Sequence, residues 1–278
     1  MFLGSLKRHG VEPVEASPGL EPALLALGRR TDMIPRDTVF HYTEWNPDGV
    51  RRRAYTGESQ EIFLRDATRM TLSHLADAVL LCEQLSDAEL DGVETPRLLN
   101  ALAAALDAFD VSMRMVADEV SPGFFAEVLR PYFQEIQVGG EKYLGPAASH
   151  VPLFLIDLAL WASDHSADHY TGFRQDSARY ALPRWRALAR AWEEAPSFTT
   201  RLDAALTAGR PGVADRFQAT VEAFGVVMRT LIRFRGKHLT FARKTYTADT
   251  CAYEAGSGGG TVDFLQQILG LTRRVIPQ

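Results

Sequence analysis

The most regular feature of this sequence is an apolar residue at every third or fourth position, repeated over long stretches from residue 61 onward. Positions three and four apart share one face of an α-helix, so this spacing predicts amphipathic helices. Because the alternating pattern of strands is scarce, we predict an all-α fold. The predicted helices cover 61–85, 96–120, 124–133, 151–163, 182–194, 198–208, 215–246 and 262–274, and 138–146 is predicted to be a glycine-rich loop.

The first 57 residues lack this pattern, and a helix is expected there only around 22–30. They are interrupted by Pro13, Pro18, Pro22, Pro35, Pro47 and Gly49. A chain of 278 residues fits one large domain, or a large domain with a small appendage. We therefore predict an irregular N-terminal segment, 1–57, packed on a helical domain, 58–278.

The longest predicted helix, 215–246, has an apolar face that becomes polar towards its end. Arg235 and His238 lie one turn apart on that face. An imidazole on an apolar surface is suited to ligate haem iron, and a neighbouring guanidinium is suited to pair with a haem propionate. For the helix taken alone, the simpler interpretation is a core histidine beside an arginine that emerges at the helix end.

A glycine-rich loop, 255–261 (AGSGGGT), directly precedes the last predicted helix. Successive backbone N–H groups at such a helix start can hold a carboxylate or a propionate. The loop lacks the Gly-Lys-Ser/Thr sequence of phosphate-binding loops, and no strand is predicted before it. A flexible turn is the alternative interpretation.

Four ordered segments resemble the haem-dependent aromatic oxygenases. This family includes indoleamine 2,3-dioxygenase, tryptophan 2,3-dioxygenase and the ring-rearranging monodechloroaminopyrrolnitrin synthase. The resemblance covers roughly residues 61 to 275 and rests on 124–132 (FFAEVLRPY), 139–150 (GGEKYLGPAASH), 234–239 (FRGKHL) and 256–265 (GSGGGTVDFL). Any single segment is a weak signal, and the specificity lies in their order along a helical chain.

The resemblance implies a helical catalytic domain of the indoleamine and tryptophan dioxygenase type that holds haem b. His238 would be the iron ligand and Arg235 would lie beside the cofactor. Noncovalent binding is expected, because no Cys-x-x-Cys-His sequence is present. The catalytic distal residue would be His74, in the helix expected to cover the distal side, or His150. Ordinary helix packing is the alternative for His74.

The resemblance also implies how an aromatic amino acid would be bound. Arg130 would grip the carboxylate with two hydrogen bonds, as guanidinium groups do. Ser257, which is also expected to act in catalysis, and Gly258 would contact the amino-acid end. Phe125 and Tyr246 would lie against the substrate.

This chain departs from the family pattern in two loops. Ser257 replaces the threonine of the Gly-Thr-Gly-Gly loop, and it follows His238 by only 19 residues (257 − 238), as in the pyrrolnitrin-type enzyme. The Gly-Ser-Ala-Gly loop over the haem has become Gly-Pro-Ala-Ala at 145–148 and has lost its serine. The resemblance therefore leaves open whether one oxygen atom or two are inserted.

The leading functional hypothesis is a haem-dependent oxygenase that oxidises tryptophan or a tryptophan derivative in specialised metabolism, as a monooxygenase or a dioxygenase. One alternative is a peroxide-dependent haem hydroxylase of tyrosine or a related phenol. A non-catalytic haem-based sensor and a haem-free helical interaction protein are the others. The exact substrate, the choice of dioxygen or hydrogen peroxide and the oligomeric state stay open.

Composition and charge argue against nucleic acid and membranes as partners. The net charge is −5 and no basic block is present, so a nucleic-acid partner is not expected. The longest apolar stretch, 151–162, is interrupted by Asp157 and is shorter than the roughly 20 residues that span a bilayer, so no membrane segment is expected. Cys82 and Cys251 form neither a zinc motif nor a disulfide framework, which favours the cytoplasm.

Overall fold

The computed structural model describes residues 1–147, 150–208, 213–246 and 260–275. It is 72% helical, so the predicted all-α fold is confirmed. The α-helices among these residues are α1 (Phe2–Arg8), α2 (Pro13–Ala16), α3 (Leu20–Thr31), α4 (Val39–Tyr42), α5 (Ser59–Asp87), α6 (Glu94–Glu119), α7 (Phe154–Asp157), α8 (Asp168–Ala178), α9 (Pro183–Glu193), α10 (Phe198–Thr207), α11 (Val213–Thr245) and α12 (Val262–Arg274).

The centre of the fold is a bundle of the three longest helices. α5 packs along α6, α6 packs along α11, and α12 covers α11. The apolar stripes point inward, and Leu75 of α5, Leu102 of α6 and Phe224 and Met228 of α11 are completely buried. Among the described helices, none combines the length and the apolar composition that crossing a membrane needs.

The N-terminal segment is more regular than predicted, since it contains α1 to α4. Pro13 stands at the start of α2, where a proline costs no hydrogen bond and its fixed φ suits the helix. Arg36 ties the segment to the main domain by donating to the carbonyl oxygens of Tyr143 at 2.8 Å and Gln134 at 3.2 Å. The division between 57 and 58 stays a prediction.

The predicted glycine-rich loop contains a short antiparallel hairpin. Its strands are β1 (Ile136–Val138) and β2 (Glu141–Tyr143), with Ile136 opposite Tyr143. Gly139 and Gly140 form the two-residue turn with φ of +61° and +82°, a conformation that two-residue hairpins need and that glycine adopts without strain. Strands of three residues are too short to show a period in the sequence.

Two π-helical turns interrupt the predicted helices, at Phe124–Leu129 and at Leu158–Ala162. The first directly precedes Arg130, and the second continues α7 and contains Trp161. Such turns are rare and are frequently found at functional sites. The sequence also missed α8, whose many polar residues hide the helical period.

Candidate active site

A cavity lies between α5, α6, α8, α11, α12 and the segment 150–157. Its volume is about 260 Å³ and it opens to solvent. This is close to the lower end of the roughly 300 to 1,000 Å³ that pockets for small molecules have. Seven phenylalanines line it: Phe109, Phe125, Phe154, Phe173, Phe234, Phe241 and Phe264.

His238 lines this cavity from α11. Its ring stacks on Phe234 with centroids 5.8 Å apart, and Phe234 in turn meets the edge of Phe109 at 5.2 Å. Burial, with a smaller contribution from the charge of Arg235, lowers the pKa of His238 to about 4. The imidazole is therefore neutral at neutral pH, and within the described chain no residue forms a hydrogen bond with it. A neutral nitrogen with an available lone pair is what a metal ion requires.

The turn that carries His238 is fixed to α6 by charge. The next residue back, Lys237, donates from Nζ to Asp110 at 2.8 Å, and Asp110 is buried. Arg233, one turn earlier, lies with Nε 3.5 Å from the same carboxylate. Together with the stacked rings, these contacts hold the imidazole in a defined position.

Arg235 is bound by protein groups on the buried side of the cavity. Its Nη2 donates to Asp157 at 2.5 Å and its Nη1 donates to Thr272. Asp157 also accepts from the Tyr170 hydroxyl and, at 3.0 Å, from the indole N–H of Trp161. Burial and the adjacent carboxylate raise the pKa of Tyr170 well above its usual range. Where the sequence predicted a haem propionate as the partner of Arg235, the structure has the carboxylate of Asp157, and contact with a propionate stays a prediction.

The predicted substrate residues are brought together only in part. Phe125 and Tyr246 line the cavity beside His238, and Phe125 packs against Phe241 with ring centroids 6.4 Å apart. Arg130 is 7% exposed and follows the first π-helical turn, but it is not part of the cavity lining among the described residues. Ser257 and Gly258 lie outside the described residues.

The two candidate distal histidines differ sharply in position. The structure corrects the expected placement of His74, which lies on the exposed surface of α5 with Nδ1 2.9 Å from the Met70 carbonyl oxygen. At about 100° per residue, it lies about 60° around the helix from Thr71, at the outer edge of the stripe through Ala67 and Thr71 that reaches the cavity. His150 lines the cavity instead.

His150 is 5% exposed and stacks on Tyr180 with centroids 4.2 Å apart. Burial, with the charge of Arg36 as a smaller cause, lowers the pKa of His150 to about 4 in spite of a hydrogen bond to the Gly145 backbone. The ring is therefore neutral, and its buried Nδ1 has no hydrogen-bond partner in the described structure. A buried polar atom without a partner is uncommon in folded proteins and is expected where a ligand binds.

The model of the monodechloroaminopyrrolnitrin synthase family, PrnB, matches residues 1–277 of this chain. The chain belongs to this family. The family lies in the haem-dependent tryptophan dioxygenase-like superfamily, which confirms the resemblance seen in the sequence. This member of the synthase family is accordingly a haem-dependent oxygenase, an oxidoreductase. The family assignment supports a tryptophan derivative as the kind of substrate.

The cavity of this synthase-family chain fits the haem that its family uses. The neutral imidazole of His238 faces the cavity without a hydrogen-bond partner among the described residues, as an iron ligand would. The phenylalanine side chains form apolar walls suited to a flat macrocycle. The described residues contain no cluster of three or more His, Cys, Asp and Glu side chains that would hold a metal ion directly.

The polar residues that the sequence missed and that the synthase fold brings to the cavity include three hydroxyl groups of α5 and α6. Thr68 and Thr71 reach it from α5, and Ser112 reaches it from α6. All three are polar residues on helix faces that are otherwise apolar and buried. This unusual position is the feature of the sequence that could have indicated them. In the charged run at 164–169, Asp164 accepts from the Ser197 backbone N–H at 3.1 Å, and His165 lies 2.9 Å from Thr200 Oγ1, so these side chains support the start of α10.

Proposed function

We propose that this chain is a haem b-dependent oxygenase that oxidises tryptophan or a tryptophan derivative. The proposal rests mainly on the position of His238, whose neutral imidazole lies on the wall of an aromatic cavity and is available to bind a metal ion. Haem held by His238 would supply the activation of oxygen. The cytoplasm stays the proposed location, since Cys82, in the described part of the chain, is a free buried thiol.

The residues of the chain would position the substrate and exclude water. The phenylalanine rings offer faces and edges against which an aromatic ring packs in offset or edge-on contact. Arg130 is proposed to bind the substrate carboxylate, and Ser257 with Gly258 the amino-acid end. A guanidinium gripping a carboxylate would set the distance from the amino-acid end to the aromatic ring.

His150 is the proposed distal residue in place of His74. Because its imidazole is neutral, the group carries one ring hydrogen and can accept a proton or a hydrogen bond on its other ring nitrogen at neutral pH. In the leading proposal it orients a bound substrate. The same property favours the second candidate, a peroxide-dependent hydroxylase of a phenol, in which a neutral histidine would take the first proton from hydrogen peroxide.

The test is to load the purified chain with haem and to add L-tryptophan or L-tyrosine, with either dioxygen and a reductant or hydrogen peroxide. The absorption spectrum reports haem binding, and mass spectrometry with ¹⁸O-labelled oxidant reports insertion of oxygen. We expect incorporation of label from dioxygen into tryptophan or a derivative. Label only from peroxide, and only into tyrosine, would replace the first proposal with the second. The His238→Ala variant is the control for haem-independent oxidation.

A further inference from the structure

We infer that Thr68, Thr71 and Ser112 form a wall, here called the hydroxyl wall, that accepts a hydrogen bond from an N–H group of the substrate's aromatic ring system. The inference rests on the proposed function for the class of substrate. It adds which polar group of that substrate the cavity recognises, and where.

The three residues form one surface of the cavity. Thr68 and Thr71 are one turn apart on α5, Ser112 lies on α6, and these two helices pack along each other. Their side chains are buried, with exposures of 5%, 5% and 7%, and all three line the cavity. Their oxygen atoms therefore belong to the interior of the site and not to the outer surface.

The hydroxyl hydrogens of the wall are already used. Thr68 and Thr71 each donate to the carbonyl oxygen four residues earlier, at 2.7 and 2.9 Å, and Ser112 donates to the carbonyl oxygen three residues earlier, at 2.9 Å. A hydroxyl group has one hydrogen and two lone pairs, so it can offer a ligand only its lone pairs once that hydrogen is used. The hydroxyl wall can therefore accept a hydrogen bond from a donor group of the ligand, but it cannot donate one to a ligand oxygen atom that only accepts.

Neighbouring side chains reinforce this polarity. The Tyr170 hydroxyl in the lining donates its one hydrogen to Asp157, and Arg235 donates from Nη2 to Asp157 and from Nη1 to Thr272. Nδ1 of His150, which has no hydrogen-bond partner among the described residues, is a further acceptor in the tautomer that carries its hydrogen on Nε2. A ring N–H, as in indole, is the group that this arrangement matches, whereas the substrate carboxylate needs donors elsewhere.

The matched probes are indole and benzofuran, which have nearly the same shape but carry N–H and O at the same ring position. Benzofuran leaves water more readily because it has no N–H to desolvate, so an apolar wall without directed acceptors would prefer benzofuran. We expect the haem-loaded chain to prefer indole by about tenfold, since a site built around a hydrogen bond rejects the analogue that lacks it. Isothermal titration and ligand-observed NMR measure both affinities.

The variants Thr68→Val and Thr71→Val keep the shape of the side chain and remove its oxygen. Each should reduce the preference for indole at least threefold, and mainly by weakening indole. Thr68→Ser and Thr71→Ser keep the oxygen and should keep the preference. Thr43→Val is the matched control, because Thr43 is also fully buried and donates to the carbonyl four residues earlier at 2.7 Å, but it lies outside the cavity lining.

The inference is overturned if the wild type binds indole and benzofuran equally, prefers benzofuran, or binds neither probe. It is also overturned if the valine variants keep the full preference for indole. Its failure is separable from that of the proposed function. A chain that oxidises tryptophan without any preference for indole refutes the hydroxyl wall alone. A chain that oxidises neither amino acid, yet prefers indole through Thr68 and Thr71, refutes the proposed function alone. The apo chain gives the same binding comparison if haem is not taken up.

Discussion

The most demanding test of the buried side of the cavity is Asp157→Asn. Asp157 is 1% exposed and is the carboxylate partner of Arg235, which is 7% exposed. It also accepts hydrogen bonds from Tyr170 and Trp161. The substitution keeps the size of the side chain but leaves the guanidinium buried without a counter-charge. It also places an amide N–H₂ donor where Tyr170 and Trp161 need an acceptor.

The expected magnitude follows from this burial. Removing one partner of a buried ion pair costs about 3 to 5 kcal/mol, because the remaining charge is desolvated and uncompensated. The total stability of a domain is about 5 to 15 kcal/mol, so the loss is a large fraction of it. At about 2 to 4 °C for each kcal/mol in a chain of this size class, the melting temperature should fall by about 6 to 20 °C.

Thermal unfolding followed by circular dichroism measures the effect, with two comparisons. Asp107→Asn breaks the exposed pair with Arg233, whose side chains are 58% and 47% exposed, and should change the free energy of unfolding by less than about 1 kcal/mol. The double variant Asp157→Asn with Arg235→Met removes both charges, keeps an amide oxygen that accepts from Tyr170 or Trp161, and should recover most of the loss. The reasoning is refuted if Asp157→Asn costs no more than Asp107→Asn, or if the double variant is less stable than the single one.

Four further outcomes are expected. His150 and His238 have pKa values of about 4 in the folded chain against 6.5 ordinarily, so the unfolded chain takes up their protons first. The stability of the apo chain should therefore be full above about pH 6.5 and fall towards pH 4, and His150→Phe should flatten the melting temperature over that window. His238→Ala should abolish the Soret band of the haem-loaded chain; an unchanged band at full haem content would disprove the ligand assignment. Arg130→Ala should weaken binding of L-tryptophan more than tenfold with haem content intact, while tryptamine, which lacks the carboxylate, should be unaffected. Ser257→Ala should raise the dissociation constant about five- to thirtyfold, and Gly258→Val should nearly eliminate binding without loss of haem; negligible effects of both would show that the loop is only a connector.

The features predicted from the sequence are those that local spacing determines. The long helices α5, α6 and α11 follow from apolar residues three and four positions apart, and the same period places Arg235 and His238 on one face. The family resemblance rests on short segments whose order survives in the sequence. These signals were enough for the fold class and the superfamily, both of which the family match confirms.

The remaining features depend on residues that are distant along the chain. The pair of Asp157 and Arg235 joins residues 78 positions apart, so nothing near Arg235 in the sequence shows that its charge is already compensated. His74 had the right residue type on the right helix, but its angular position on α5 points it to solvent. Choosing between His74 and His150 requires knowing which face of α5 turns inward, and that follows from the packing of α6 and α11.

The polar groups of the cavity have a property that residue types alone do not reveal. Thr68 and Thr71 have hydroxyl groups that ordinarily donate and accept, and the helix carbonyl oxygens have taken the donor function away. Asp157 likewise takes the hydroxyl hydrogen of Tyr170 and one N–H of the Arg235 guanidinium. The partners of these groups within the protein therefore decide which hydrogen bonds the cavity can offer. A substitution of Asp157 should change the specificity of the site as strongly as a substitution of Thr68 or Thr71, because it frees donors that face the ligand.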